Sequence, residues 1–272
     1  DDSNGRDPPL FVACSMNHVN VASLLLENGA GVKQGNSNGA SALYVASQKN
    51  HIDAAQLLLQ NGAAVNQTQK NGASSLYVAC ERGHVGAVRV LLESGAEVNQ
   101  ATSQDTSDGA SPLYVASAHG HVDVARILLD YGADVNLVQK NGASPFYVAC
   151  EAGKVDVARL LLERGADVDK AIHDGFSPLY ASYGTGHVEA AQFLLDNGAD
   201  VDYAAHGGKT LLSVACSQNS HIFIAHRLLE AGADVDRSDA NGVTALHVAC
   251  ENGNIEAVRL LIKCGATINQ AD

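Results

Sequence analysis

The sequence predicts an all-α protein, a solenoid of helix–turn–helix units stacked one on the next. Three observations carry this. Aligning on the leucine of Ser-Pro-Leu-Tyr and its counterparts gives Leu10, Leu43, Leu76, Leu113, Phe146, Leu179, Leu212 and Leu246, at intervals of 33, 33, 37, 33, 33, 33 and 34 residues. Self-similarity at a fixed period of this size is the mark of a repeat array. Each unit holds two short apolar segments, the second apolar around most of its circumference, so it must be covered on several sides. Two helices that short cannot cover each other, and neighbouring units have to do it. Glycine, 26 of 272 residues, recurs at fixed places where helices must stop.

The unit from Asp108 to Asn136 shows the local logic. Asp108-Gly109 is a turn dipeptide, Ser111 supplies an N-cap oxygen, and Pro112 takes the first helical position, where a missing N–H costs nothing. Leu113 to Ser117 is a small apolar run closed by Gly120, and a second helix is expected from about Val122 to Tyr131, stopped by Gly132. Asp123, Arg126 and Asp130 mark its polar face.

In the last unit, Thr244-Ala245-Leu246-His247-Val248-Ala249 comes near the T-P-L-H-x-A signature of 33-residue repeats. Others carry tyrosine in the His slot, as in Ser111-Pro112-Leu113-Tyr114 and Ser177-Pro178-Leu179-Tyr180. Eight in-phase copies of this pattern resemble the ankyrin-repeat family. The resemblance implies a single ankyrin-repeat domain over 1–272, with repeats at about 5–37, 38–70, 71–107, 108–140, 141–173, 174–206, 207–240 and 241–272. It also implies that each repeat is a short β-hairpin finger followed by two antiparallel helices.

Taken in order, copy one is imperfect, with Arg6 in a glycine place and Pro8-Pro9 before Leu10. Copies two and three are regular. Four extra polar residues between Asn99 and Gly109 read as a tolerated surface insertion, since a longer loop adds little closure entropy. Copies four and five are regular again. Copies six and seven depart repeatedly. Phe176 takes the finger slot of Ala40, Ala73, Ala110 and Ala143; Ile172 and His173 replace polar loop residues; Tyr183 enters the small Cys/Ser slot, followed by Gly184-Thr185. In copy seven Tyr203, His206 and Lys209 fill the loop, Leu211 stands where proline is usual, Ser213 replaces the tyrosine, and Asn219-Ser220 carry a one-residue insertion. Copy eight returns to pattern.

The tyrosine ladder (Tyr44, Tyr77, Tyr114, Tyr147, Tyr180) is expected to pack, each phenol giving apolar area with one polar tip. Six histidines (His18, His51, His84, His121, His187, His221) hold one inter-helix turn slot, one per copy, and are expected to be structural. Five cysteines, Cys14, Cys80, Cys150, Cys216 and Cys250, share one first-helix slot that Ser47 and Ser117 also fill. Stacked helices lie ~8–10 Å apart, beyond the ~7 Å limit for a disulfide, and zinc needs four converging ligands. These cysteines are therefore expected to be small, buried, reduced and metal-free, with Cys264 an exposed thiol. A cytoplasmic or other intracellular reducing compartment follows as the expectation.

Net charge is −13, spread evenly, which disfavours nucleic acid because phosphate binding needs a basic stripe. No run of ~18 apolar residues offers a membrane span. The chain does not begin with Met and is expected to be a fragment or bare array. No phosphate-cradling loop, nucleophile elbow or metalloprotease signature is present. No enzymatic activity, cofactor or metal is expected, and a monomer is.

The resemblance implies a non-catalytic protein–protein interaction module that holds a protein or peptide partner on its concave face and finger tips. The candidate partner-binding residues are Arg82, His119, Lys140, Glu151, His173, Phe176, Thr185, Tyr203, His206, Lys209 and Gln218. The irregular copies six and seven are the expected centre, with Phe176 and Tyr203 as exposed aromatics. The alternative is a structural spacer within a longer array, which the regularity of copies two to five favours. The resemblance also raises loop Asn66, Asn99 and Asn136 as substrates of an oxygenase acting on ankyrin segments.

Overall fold

Serine and threonine caps set where the helices begin. The side-chain oxygens of Ser41, Ser74, Ser111, Ser144 and Ser177 accept the backbone N–H three residues on, at 3.1, 3.2, 3.1, 3.0 and 3.3 Å. Thr210 does the same at 3.2 Å and Thr244 at 3.4 Å. Each such cap contributes about 1 kcal/mol to a helix too short to stand alone. The computed structural model describes residues 7–103, 109–205, 207–218 and 221–269. Arg6, His206, the Asn219-Ser220 insertion and most of the insertion after Asn99 lie outside the described residues.

The described residues form sixteen helices. The first helices of the eight copies are α1 (Pro9–Ser15), α3 (Ala42–Gln48), α5 (Ser75–Glu81), α7 (Pro112–His119), α9 (Pro145–Glu151), α11 (Pro178–Gly184), α13 (Leu211–Cys216) and α15 (Ala245–Glu251). The second helices are α2 (Val19–Glu27), α4 (Ile52–Gln60), α6 (Val85–Glu93), α8 (Val122–Asp130), α10 (Val155–Glu163), α12 (Val188–Asp196), α14 (Ile222–Glu230) and α16 (Ile255–Lys263). The turn joining the two helices requires a left-handed residue. Asn17 and Asn50, both at φ 58°, supply it in copies one and two, and glycine takes over from Gly83 at φ 72°.

The fingers are slighter than hairpins. Single antiparallel bridges, Gly35 to Ser41, Thr68 to Ser74, Ala204 to Thr210 and Ser238 to Thr244, replace paired strands. The tip uses its polar groups locally: Asn36 Oδ1 accepts the N–H of Asn38 and of Ala40, both at 3.0 Å, leaving little backbone for a ladder.

The chain divides into two compact units. In the first, which runs to Ala149 and includes Asp156–Ala166, first helices pack on first helices (α1 on α3, α3 on α5, α5 on α7) and second on second (α2 on α4, α4 on α6, α6 on α8). Its core is a run of fully buried pairs, one residue from each helix: Leu43 with Leu58, Leu76 with Leu91, Leu113 with Leu128, Phe146 with Leu161. The second unit, Cys150–Val155 with residues from Asp167 onward, repeats the scheme with Leu179 and Leu194, then Leu212 and Leu228. Within it α13 packs on α15 and α14 on α16. Both leucines of copy seven stay buried.

Cys14, Cys80, Cys150 and Cys216 are buried as expected, and Ser47 and Ser117 in the same slot are at 0% exposure. Cys250 is exposed, contrary to expectation. The following repeat covers this slot in the earlier copies, and no described repeat follows copy eight. Burial pushes the Cys14 thiol up to about 11 and those of Cys150 and Cys216 up to about 12, and raises Cys80 as well.

Candidate interaction face

Within each unit, three ladders tie repeats to their neighbours and decide which polar groups remain to face outward. The first uses the histidines. The ring of His51 donates to the Cys14 carbonyl at 2.9 Å, His84 to Gln48 at 3.0 Å and His121 to Glu81 at 3.1 Å. Gln48 and Glu81 end their first helices, where the carbonyl lacks an intrahelical partner, and Cys14 stands one residue before the end of α1, its carbonyl also accepting Asn17 N–H at 3.3 Å. The rings also lie close over the preceding turn: a Cβ on Gly83 would fall 2.6 Å from the His121 ring, and one on Gly153 2.6 Å from His187. Copy eight replaces histidine with Asn254, whose amide donates to the Cys216 carbonyl at 3.1 Å while its oxygen caps α16.

The second ladder runs through the loops after the second helices. Asn66 Oδ1 accepts from Glu97 N–H at 2.9 Å and Asn99 from Asp134 at 3.0 Å. Aspartate does this later, Asp169 accepting from Asp200 at 3.0 Å, Asp202 from Asp234 at 3.1 Å and Asp236 from Thr267 at 2.8 Å. The amide of Asn66 also reaches the Gly95 carbonyl, and that of Asn136 the Gly165 carbonyl, both at 3.5 Å. Burial raises the Asp169 and Asp202 carboxyls, and the neighbouring aspartates add to it. Asp236 moves the other way, held down by its two bonds from Thr267.

The third ladder joins the tyrosines to the next finger. Gln69 donates to the Tyr44 hydroxyl at 2.7 Å, and Gln139 bonds the Tyr114 hydroxyl. The polar tip that the sequence assigned to these phenols therefore has a defined partner.

Against these ladders the candidate residues separate. Arg82, His119 and Lys140, in the first unit, are exposed. Arg82 pairs with its neighbour Glu81 at 3.5 Å, and the His119 ring meets that of His121 edge-on at 5.9 Å. In the second unit His173, Lys209 and Gln218 are exposed, and Glu151 is half-buried. Thr185 is exposed, yet its hydroxyl is committed to the first-helix ends, lying 3.0 Å from the Glu151 carbonyl and 2.9 Å from that of Ala181. The structure thus brings Thr185 and Glu151 together as a repeat-to-repeat contact.

The two aromatics differ from expectation. Phe176 and Tyr203 are half-buried, and Phe176 stacks on Tyr180 of its own repeat at 4.5 Å and 28°, so its ring pairs there and not with Tyr203. A large apolar side chain in a finger slot finds cover on the nearest phenol, which removes water from both rings. Tyr183, in the small-residue slot, is buried at 4% exposure, and burial raises its phenol.

Sequence reasoning missed two features. Asn254 is legible only by aligning it to the histidine column. The other is a groove of about 420 Å³ in the second unit, lined by Lys209, Ser213, Ser217, Asp239, Val243 and Val248 among others; its signal is the loss of a tyrosine at Ser213. Among the described residues no three His, Cys, Asp or Glu side chains converge, and no helix is long and apolar enough to cross a membrane.

The comparisons agree with this architecture. A family model described as ankyrin repeats (3 copies) matches residues 1–69, 59–139, 131–205 and 202–272. Among solved structures the chain is similar to the crystal structure of the human ASB11 ankyrin repeat domain, with 31% identity, a TM-score of 0.73, and coverage of 84% of this chain and 99% of that one. No curated protein matches the chain. Histidine, tyrosine and loop ladders at a 33-residue period, matched from end to end by the family model, place this chain in the ankyrin-repeat family.

Proposed function

We propose that the chain is a non-catalytic interaction module, binding a protein or peptide partner on the concave face and finger tips formed by its first helices and loops. One observation carries the reading. At the C-terminal end of the first helices, the slot six residues after the aligned leucine holds Lys49, Arg82, His119, Ala152, Thr185, Gln218 and Asn252 in copies two to eight, seven different residue types, while the caps and leucines behind it barely change. A largely exposed position of large chemical variety is where an array can be specialised for a partner. Acidity without a basic stripe directs the reading to protein and away from nucleic acid. Four buried thiols are consistent with a reducing intracellular compartment, where the chain would work as a monomer.

The test compares faces. A charge-reversal set on the proposed face (Arg82→Glu, Lys140→Glu, Lys209→Glu) is set against one on the second helices (Glu93→Lys, Glu163→Lys). Quantitative co-isolation from cells should lose partners about tenfold or more with the first set and hold with the second, at equal melting temperature. Equal recovery from both would favour the spacer reading.

A further inference from the structure

Copies two to six fill one place on the stack with a tyrosine, Tyr44, Tyr77, Tyr114, Tyr147 and Tyr180, and copy seven puts Ser213 there. Around Tyr44 the structure shows what that place demands. The phenol lies against the next finger, where Gln69 bonds its hydroxyl at 2.7 Å, and the Glu81 carboxylate of the next first helix is close enough to act on it, adding to the effect of burial. The repeat register carries both neighbours forward to copy eight. Asp239 stands where Gln69 stands, and Glu251 where Glu81 stands. Both line the groove at Ser213, together with Lys209 on the finger and Val243 and Val248 beside it.

The groove is thus a tyrosine slot without its tyrosine. Ser213 does not fill it, because its hydroxyl is turned to the Thr210 carbonyl at 2.8 Å and the residue is buried at 7% exposure. The polar group at the far end has changed in a telling way, from a donor to an acceptor. Gln69 donates to the phenol oxygen, whereas a carboxylate can only accept, so the slot now requires a hydroxyl that donates. Asp239 is held for this: its Oδ1 accepts from Asn241 N–H at 2.8 Å and Val243 N–H at 3.0 Å, leaving Oδ2 as an acceptor. An aromatic ring with an O–H at its tip satisfies the shape and the polarity together, and aromatic side chains in desolvated pockets are the usual anchors of interfaces.

Resting on the interaction reading above, we propose that this groove receives a tyrosine side chain of the partner, its ring lying where the chain's own tyrosines lie in the preceding repeats and its hydroxyl donating to Asp239. The probe is p-cresol, titrated into the whole chain and followed by backbone amide chemical shifts. Saturable shifts in the millimolar range should centre on Lys209, Ser213, Asp239 and Val243, with toluene at least threefold weaker. Ser213→Tyr should abolish them by filling the slot from within, and Ser213→Ala should retain them. Asp239→Asn keeps the turn, since Asn36 makes the same one, and should weaken p-cresol binding while leaving toluene unchanged. Shifts centred elsewhere, absent altogether, unaffected by Ser213→Tyr or equal for toluene would overturn the proposal, as would tighter binding of n-butylammonium, which would make the slot cationic in preference. If Ser213→Tyr fails to fold, Asp239→Asn and toluene still decide. Failure here leaves the face comparison by charge reversal untouched, so the two readings fall separately.

Discussion

Replacing His84 with alanine should destabilise the first unit by about 1–2 kcal/mol. The hydrogen bond from the imidazole to the Gln48 carbonyl, 3.0 Å long, has a net worth of about 1 kcal/mol. Gln48 is the last residue of α3, so no intrahelical N–H can replace the lost donor. Truncation leaves that half-buried acceptor unsatisfied, which lifts the loss from about 1 toward about 2 kcal/mol. The chain carries its own control: Asn254 does the histidine's work in copy eight through a 3.1 Å bond to Cys216. His84→Asn should therefore recover most of the loss. Because the chain has no tryptophan, urea unfolding is followed by far-ultraviolet circular dichroism. Native-state hydrogen exchange then localises the effect, since repeat arrays need not unfold in one step. If His84→Ala costs under about 0.5 kcal/mol, or His84→Asn costs as much as His84→Ala, the carbonyl-capping account of the ladder is wrong.

Three further outcomes follow from the same geometry. A thiol reagent should find two fast cysteines in the native chain, Cys250 and Cys264, and six after denaturation; more than two fast thiols would contradict the burial of the slot. Asp169→Asn and Asp202→Asn should each stabilise the second unit at pH 7 by a few tenths of a kcal/mol, solvent screening being strong at such partly exposed sites. Burial, then neighbouring aspartates, holds both folded-state pKa values above the ordinary one, so the carboxylates destabilise above those values and the cost fades as pH falls through them. The gain from asparagine should therefore vanish in acid, and a gain that grew in acid would reverse the argument. Gly83→Ala should cost about 2 kcal/mol or more in urea unfolding, combining a left-handed backbone with a Cβ 2.6 Å from the His121 ring; a neutral result would mean the ring is not held there.

Much of the fold was legible because the period repeats each instruction. Ser111, Pro112 and Gly120 each recur in register, so the caps and turns could be placed to within a residue; α8 ends at Asp130, one short of the expected Tyr131. The fingers were less legible, since a single bridge such as Thr68 to Ser74 leaves no alternating pattern of its own. Side-chain fate was hardest where it depends on a neighbour. Phe176 reads as exposed in a list of slots and is half-buried in the structure, because Tyr180 lies within stacking reach. Cys250 reads as buried because its column is, yet burial of that column is conferred by the following repeat. Thr185 reads as a polar contact residue, and its hydroxyl is spent on the Glu151 and Ala181 carbonyls. The groove at Ser213 was visible only as an omission, and an omission has meaning once the residues around it are known.

The central claim is that partners meet the first-helix and finger face. The most direct measurement places a benzophenone amino acid at Arg82 or Lys209 on that face, and at Gln60 or Glu93 on the second helices, then irradiates living cells. The account predicts a discrete cross-linked species from the first pair and none from the second. A cross-link of equal yield from Gln60 or Glu93 would contradict it.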